Sequence, residues 1–123
     1  MAMRCFLLAK IHRATITVAN VDYMGSIAIC PELLEQAGIL PNEQVDVYNL
    51  DNGNRLTTYA IKGRKGEIGL NGAAALQGQA GQRVIIAAYT WLDSSEIDDH
   101  APRLVFVDEN NTMTSLIEEG PAA

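Results

Sequence analysis

Long apolar runs and cysteines are both scarce in this chain of 123 residues. No run approaches the roughly 18 apolar residues needed to cross a bilayer, and the first residues lack the pattern of a signal peptide. Cys5 and Cys30 are too few for a disulfide framework and lack the CxxC spacing of a zinc site. We therefore expect a cytoplasmic protein with no membrane partner and no metal, in which both cysteines are small core residues.

Basic residues are also few. Nine Lys and Arg face fifteen Asp and Glu, which gives a formal net charge of −6. Residues 92–123 hold eight acids and the single base Arg103, whereas residues 1–91 hold seven acids and eight bases. Because no basic stripe is available to neutralise phosphates, the composition predicts no nucleic-acid partner.

Short strands dominate the pattern of the chain. They are predicted over residues 4–11, 12–19, 27–29, 44–50, 55–61, 83–89 and 103–107. The pair Asn52-Gly53 suits the positive φ of a tight turn, which predicts a hairpin between two of these strands. Residues 31–38 predict a short helix that begins at Pro31 and ends at Gly38.

The remaining segments complete a single domain over residues 1–123. Residues 71–75 predict a tight turn that leads into a short helical stretch, and residues 108–123 predict a flexible acidic tail. Apolar residues make up 48% of the chain, which is enough for a packed core. Many short strands with little helix indicate a mainly β fold in the form of a small closed barrel.

No Ser/His/Asp order, phosphate-binding glycine loop or HExxH motif is present in the sequence. The candidate site residues are two pairs that each share a strand face, Lys10 with His12 and Arg55 with Tyr59, the flexible dipeptide Gly25-Ser26, and the backbone N–H groups of residues 71–74. Taken singly, each has an ordinary structural explanation as a surface cation, a core ring or a turn. The residues alone therefore offer candidates without choosing a mechanism.

The order and spacing of these pieces resemble the pyruvoyl-dependent aspartate 1-decarboxylase family from about Arg4 to Val107. The matching motifs are KIHRATIT at 10–17, YMGS at 23–26, AGIL-x-x-E-x-V-D-V at 37–47, DNGNRLTTYAI at 51–61 and NGAAA at 71–75, with a weaker match at 102–111. The resemblance implies a six-stranded double-psi β-barrel with short helices. It also implies a homotetramer, with active sites between neighbouring subunits, that converts L-aspartate to β-alanine and CO2 for pantothenate and coenzyme A biosynthesis.

The resemblance further implies that the enzyme makes its own cofactor. The Ser26 hydroxyl is expected to attack the Gly25 carbonyl, and Thr58 matches the residue that faces the resulting oxyanion. Elimination and hydrolysis then leave residues 1–25 as a β chain and residues 26–123 as an α chain that begins with a pyruvoyl group. Glycine permits the strained backbone that such a rearrangement needs. The family leaves open an accessory factor for this maturation, and it implies no metal.

The same resemblance assigns roles toward the substrate. The pyruvoyl group derived from Ser26 would form a Schiff base with the amine of L-aspartate, and Tyr59 matches the family's proton donor. The residues that match the substrate-binding set are Lys10, Arg55, Thr58, Asn71, Gly72, Ala73 and Ala74. Of these, Lys10 and Arg55 are the cations for the two carboxylates, and Asn71 is expected to hold the turn that follows it.

The sequence departs from the family pattern at a few positions. Cys5-Phe6 stands where a Thr-Met pair is common, Asn20 and Cys30 where Asp is common, and Leu76 where His often follows the alanines. None of these departures removes a residue that was assigned a role above. A separate conflict is that strict alternation puts Thr58 and Tyr59 on opposite faces of a strand. We expect a bulge, a site at a strand end or a site between subunits to reconcile them.

Two alternatives stay open at this point. One is an uncleaved homologue that acts as a structural or binding module, which would remain a single chain with no reactive carbonyl. The other is a different enzyme that pairs His12 as a base with Cys5 or Cys30 as a nucleophile, which predicts rapid labelling of one cysteine.

Overall fold

The structure is a computed structural model that describes residues 2–118, and β-strands make up about half of these residues. The strands are β1 (Arg4–Thr15), β2 (Val18–Asn20), β3 (Ser26–Ile29), β4 (Gln44–Asn49), β5 (Arg55–Lys62), β6 (Ile68–Asn71), β7 (Arg83–Leu92), β8 (Arg103–Val107) and β9 (Met113–Glu118). Helix α1 spans Pro31–Ala37, and two short 3-10 helices span Gly72–Gln77 and Ile97–Asp99. The prediction of a mainly β fold with short helices is confirmed.

The strands pair in the order β2-β6-β3-β5-β4-β7-β1-β8-β9. Three of these pairs are parallel, namely β1 with β8, β2 with β6, and β3 with β5. The other five pairs are antiparallel. This order has two outer strands, β2 and β9, so the closed six-stranded double-psi barrel stays a prediction for this nine-stranded arrangement.

The core is formed by the inward faces of the strands other than β2, together with one side of α1. Its fully buried large side chains are Ile11, Ile16, Ile27, Ile29, Leu33, Val45, Val47, Ile68, Leu70, Val84, Ile86 and Val105. Most are β-branched, as expected for side chains that pack on a pleated surface. Cys30 belongs to this core, but Cys5 is exposed at the start of β1, where it pairs with Trp91, so the prediction of a buried Cys5 is wrong.

Turn chemistry placed two elements correctly. Helix α1 has Pro31 in its first turn and ends at Gly38, whose φ of 71° is the left-handed conformation that glycine tolerates best. The predicted hairpin is formed by β4 and β5, and Gly53 has a φ of 77° in the turn between them. The predicted boundary between strands 4–11 and 12–19 differs from the structure. Strand β1 continues to Thr15 through an irregular register at Ile11–Ala14, where Arg13 has a φ of 66°.

The flexible tail predicted over residues 108–123 is corrected for most of its length. Residues 108–112 form a turn in which Asp108 Oδ1 accepts hydrogen bonds from the backbone N–H groups of Asn110 and Thr112. Strand β9 then pairs antiparallel with β8 along its length. The apolar residues Met113 and Leu116 pack against the core, which explains this order despite the polar composition. Residues 119–123 lie outside the described residues.

Within residues 2–118, no helix has the length and apolar character that a membrane crossing requires.

Candidate active site

The Gly25-Ser26 bond lies where an exposed segment enters the sheet. Ser26 begins β3 and is only 1% exposed, whereas residues 21–25 are exposed. The Ser26 hydroxyl donates a hydrogen bond to the Met24 carbonyl at 3.0 Å and accepts one from Asn71 Nδ2 at 3.2 Å. This nucleophile candidate is therefore buried, is held by two partners and lies next to a conformationally permissive residue, glycine.

The register between β3 and β5 brings both Thr58 and Tyr59 to this bond. The two strands are parallel, with Ile27 opposite Ala60 and Ala28 opposite Ile61. When the same register is continued by two residues, Ser26 lies beside Tyr59 and Gly25 lies beside Thr58. The two β5 side chains leave the strand on opposite faces, as alternation requires. Both residues nevertheless line one groove with Gly25, which agrees with a site at a strand end.

Gly72 packs directly against Gly25. A Cβ on Gly72 would lie 2.6 Å from both the N and Cα atoms of Gly25 and 3.0 Å from the Tyr23 carbonyl oxygen. Gly72 also has a φ of 63°, which favours glycine. The missing side chain therefore lets the start of the 3-10 helix Gly72–Gln77 lie against the backbone that is expected to break.

A surface groove of about 370 Å³ runs beside Gly25. Its lining residues are Gly25, Leu56, Thr57, Thr58, Tyr59, Ala73, Ala74 and Gln77. The size suits a small amino acid, and the groove joins residues from three of the matching motifs. Of the predicted site residues, Gly25, Ser26, Thr58, Tyr59, Asn71, Gly72, Ala73 and Ala74 are thus brought together in one place.

Arg55 and Lys10 lie elsewhere on the outer surface. Arg55 shares a face of β5 with Tyr59 but is four residues away, roughly 13 Å by strand rise. Lys10 lies opposite Ala87, which in turn lies opposite Asp46, so Lys10 is separated from β5 by two strands. A single chain does not bring either cation to the groove beside Gly25.

The structure does not support a cysteine–histidine pair. Cys5 and His12 are seven positions apart on β1, roughly 23 Å along the strand. Cys30 is 3% exposed within the core, which keeps it from a dissolved substrate. The His12 ring packs edge-on against Phe106 at 5.3 Å, and burial lowers the pKa of His12, which the charges of Lys10 and Arg13 lower further.

The Asn71 side chain differs from its predicted role, and the sequence analysis did not identify Tyr48. The Asn71 side chain does not cap the helix that follows; it donates to Ser26, because Asn71 and Ser26 are opposite each other in the β3–β6 pair. Tyr48 was missed, although its ring lies 4.7 Å from the Arg55 guanidinium carbon. The signal was available, since the predicted hairpin places Tyr48 opposite Arg55.

Known proteins are similar to this chain over most of its length. The family model described as aspartate decarboxylase matches residues 1–114. The aspartate 1-decarboxylase of Bdellovibrio bacteriovorus is 51% identical over 92% of this chain and 91% of the relative. The protein of the same name from Caldicellulosiruptor saccharolyticus is 54% identical over 89% of this chain and 88% of the relative. The aspartate 1-decarboxylase of Acaryochloris marina is 50% identical over 96% of this chain and 89% of the relative.

Proposed function

The chain belongs to the aspartate decarboxylase family and is a decarboxylase; from this premise we propose that it cuts itself between Gly25 and Ser26. The new amino end becomes a pyruvoyl group, and the matured protein converts L-aspartate to β-alanine and CO2. One observation carries the proposal. The Ser26 hydroxyl is buried and held by Asn71 and Met24 beside a glycine that Gly72 packs against.

Self-cleavage begins with the Ser26 hydroxyl. Its oxygen attacks the Gly25 carbonyl carbon, and the C–N peptide bond breaks as the C–O ester bond forms. Elimination then releases residues 1–25 with a carboxylate at Gly25. The unsaturated residue left at position 26 takes up water and loses ammonia to become the pyruvoyl group. Thr58, which lines the groove with Gly25, is proposed to donate to the oxyanion of the first step.

The groove residues then act on the substrate. The pyruvoyl carbonyl supplies the electron sink that loss of a carboxylate as CO2 requires. The hydroxyl of Tyr59, which lines the groove with Gly25, is proposed to hold the proton that returns to the substrate carbon. Thr58, Asn71, Gly72, Ala73 and Ala74 are proposed to orient the substrate at the groove. Arg55 and Lys10 are proposed to bind its two carboxylates.

The positions of Lys10 and Arg55 favour an assembly. Since neither cation reaches the groove within one chain, we propose that neighbouring subunits of a homotetramer complete each site. We further propose a cytoplasmic enzyme that supplies β-alanine for pantothenate and coenzyme A biosynthesis. An accessory maturation factor remains part of this proposal, as a partner that speeds the cleavage.

The first experiment is an intact mass spectrum of the purified protein before and after prolonged warming. Two fragments divided between residues 25 and 26, the larger beginning with a pyruvoyl group, are expected. β-Alanine formation from L-aspartate is then measured on the same sample. A single chain that stays uncut after warming and after addition of cell extract from the source would contradict the proposal and favour an uncleaved binding module.

A further inference from the structure

A cluster of hydroxyl groups lies on the outer face of the sheet, in a second groove that shares Leu56 and Thr57 with the Gly25 groove. Val45 and Val47 of β4 are buried, so Asp46 and Tyr48 point outward on the same strand. Tyr48 lies opposite Arg55 of β5, and its ring centre is 4.7 Å from the guanidinium carbon. This is the distance at which an aromatic face attracts a cation.

The Tyr48 ring is itself held in place through its hydroxyl. This hydroxyl donates to Asp46 Oδ2 at 3.3 Å and lies 2.8 Å from the hydroxyl of Tyr89 on β7. Either hydroxyl of the Tyr48–Tyr89 pair can donate the shared proton. Burial raises the pKa of Tyr48, and the bond to Tyr89 raises it further, so the phenol stays neutral. A side chain fixed at both ends makes a firm platform for a cation.

The nearby carboxylate is already engaged by hydroxyl groups. Asp46 Oδ1 accepts a hydrogen bond from Thr57 Oγ1 at 2.7 Å, while Oδ2 accepts from Tyr48. Asp46 and Arg55 line the same surface groove of about 330 Å³, together with Tyr48 and Thr57. The hydroxyl bonds offer Asp46 partners other than the guanidinium. The planar edge of Arg55 is thereby left for a carboxylate from outside the chain.

We propose that Tyr48, braced by Tyr89, is a positioning residue that holds the Arg55 guanidinium ready for a carboxylate of the substrate. This inference rests on the proposed function, which makes Arg55 a ligand of L-aspartate. It adds that the ring face of Tyr48 sets the affinity for dicarboxylates and has little influence on the chemical step. Tyr48 need not touch the substrate to do so.

The test compares matured Tyr48→Leu, Tyr48→Trp and Tyr89→Phe proteins with the parent. The KM for L-aspartate and the inhibition constant of succinate, a dicarboxylate with no amine, are measured alongside kcat. In Tyr48→Leu, both constants should rise together by about 3- to 30-fold, the value of a cation–π contact, with kcat nearly unchanged. Tyr48→Trp keeps an aromatic face and should stay near the parent. Tyr89→Phe loses one hydrogen bond and should raise both constants by about 2- to 5-fold.

A matched control separates positioning from stability. Phe6→Leu removes a half-buried ring on β1 that contacts His100, so it should lower the melting temperature and leave both constants unchanged. Unchanged constants in Tyr48→Leu, or an equal rise in Tyr48→Leu and Tyr48→Trp, would overturn the inference while leaving the proposed function intact. Should Tyr48→Leu fail to fold, unchanged constants in Tyr89→Phe would overturn the inference in its place. A parent protein without decarboxylation would overturn the proposed function and this inference with it.

Discussion

Two exposed turns of this chain, the hairpin turn (residues 50–54) and the cleavage segment (residues 21–25), are held in different ways. In the hairpin turn, Asn49 Oδ1 accepts from the N–H groups of Asp51 and Asn52, and Asn52 Oδ1 accepts from that of Asn54. The Asn52 amide also reaches the Gln77 carbonyl. Side chains of the turn and its neighbours therefore hold its backbone in place.

The cleavage segment has few hydrogen bonds. Asn20 accepts from the Asp22 N–H through Oδ1 and from the Tyr23 N–H through its carbonyl, and Ser26 donates to the Met24 carbonyl. The side chains of Tyr23 and Met24 are 53% and 74% exposed. What holds Gly25 is contact with Gly72, which has no side chain to keep it away. Two segments of similar exposure are therefore fixed differently, one by hydrogen bonds from its own side chains and the other by contact with Gly72. Of the two, the cleavage segment presents a backbone bond to a buried hydroxyl.

The largest effect should come from Ser26→Ala, which removes the attacking oxygen. We expect no cleavage and no decarboxylation, because no other atom at position 26 can form the ester or the pyruvoyl group. An intact mass spectrum and an assay of β-alanine formation measure both. Cleavage at residues 25–26 in this variant would show that the segment is cut by an outside protease.

Tyr59→Phe should separate cleavage from turnover. The variant keeps the ring beside Ser26, so the chain should still mature, but loss of a general acid should lower kcat by about 10²- to 10⁴-fold. Fragment masses and steady-state rates give the two readouts. Turnover at the parental rate would remove Tyr59 from the role of proton donor.

Gly72→Ala tests what holds the cleavage segment. The new Cβ would lie 2.6 Å from Gly25 and should push the scissile bond away from Ser26, so we expect cleavage to slow by about 100-fold, given an overpacking cost of a few kcal/mol. The time course of fragment formation measures this. Gly53→Ala is the matched control, because Gly53 also has a positive φ but nothing lies within 4 Å of its Cβ position. It should lower stability by about 1–2 kcal/mol and leave cleavage unchanged; equal slowing in both would point to general destabilisation.

The smallest effect should come from Asn71→Ala. It removes the amide that donates to Ser26 Oγ, so cleavage should slow by about 2- to 10-fold, the value of one hydrogen bond. Asn52→Ala removes an amide from the hairpin turn and should reduce the free energy of unfolding by about 1 kcal/mol without altering cleavage. Fragment kinetics and denaturant titrations of both variants decide whether the two turns differ as described.

Sequence patterns predicted the elements that local chemistry determines. Pro31 and Gly38 mark the two ends of α1, and Asn52-Gly53 places the turn between β4 and β5, because backbone preferences at these positions act within a few residues. Strand β9 was missed because its order comes from pairing with β8 and from contacts of Met113 and Leu116, neither of which shows in local composition.

The candidate site was predicted to the level of its residues but not of its arrangement. The motifs named Ser26, Thr58, Tyr59 and Asn71, while the meeting of Thr58 and Tyr59 at one bond depends on the parallel register of β3 and β5. Register between strands that are distant in sequence is a tertiary property. For the same reason, the sequence did not indicate that the Asn71 amide turns toward Ser26 or that two strands separate Lys10 from β5.

The path of β1 through the sheet has a consequence for the cut protein. β1 lies between β7 and β8, and β2 pairs with β6 at the edge of the sheet, so a cut after Gly25 would leave β1 of the shorter piece between two strands of the longer one. The covalent chain no longer joins the two pieces once they separate. Unfolding then becomes dissociation of a heterodimer, so the melting temperature of the cut protein should fall on dilution. In the uncut precursor the two parts belong to one chain, so their separation does not make the melting temperature depend on concentration. After maturation, refolding would therefore require the two separated pieces to associate again.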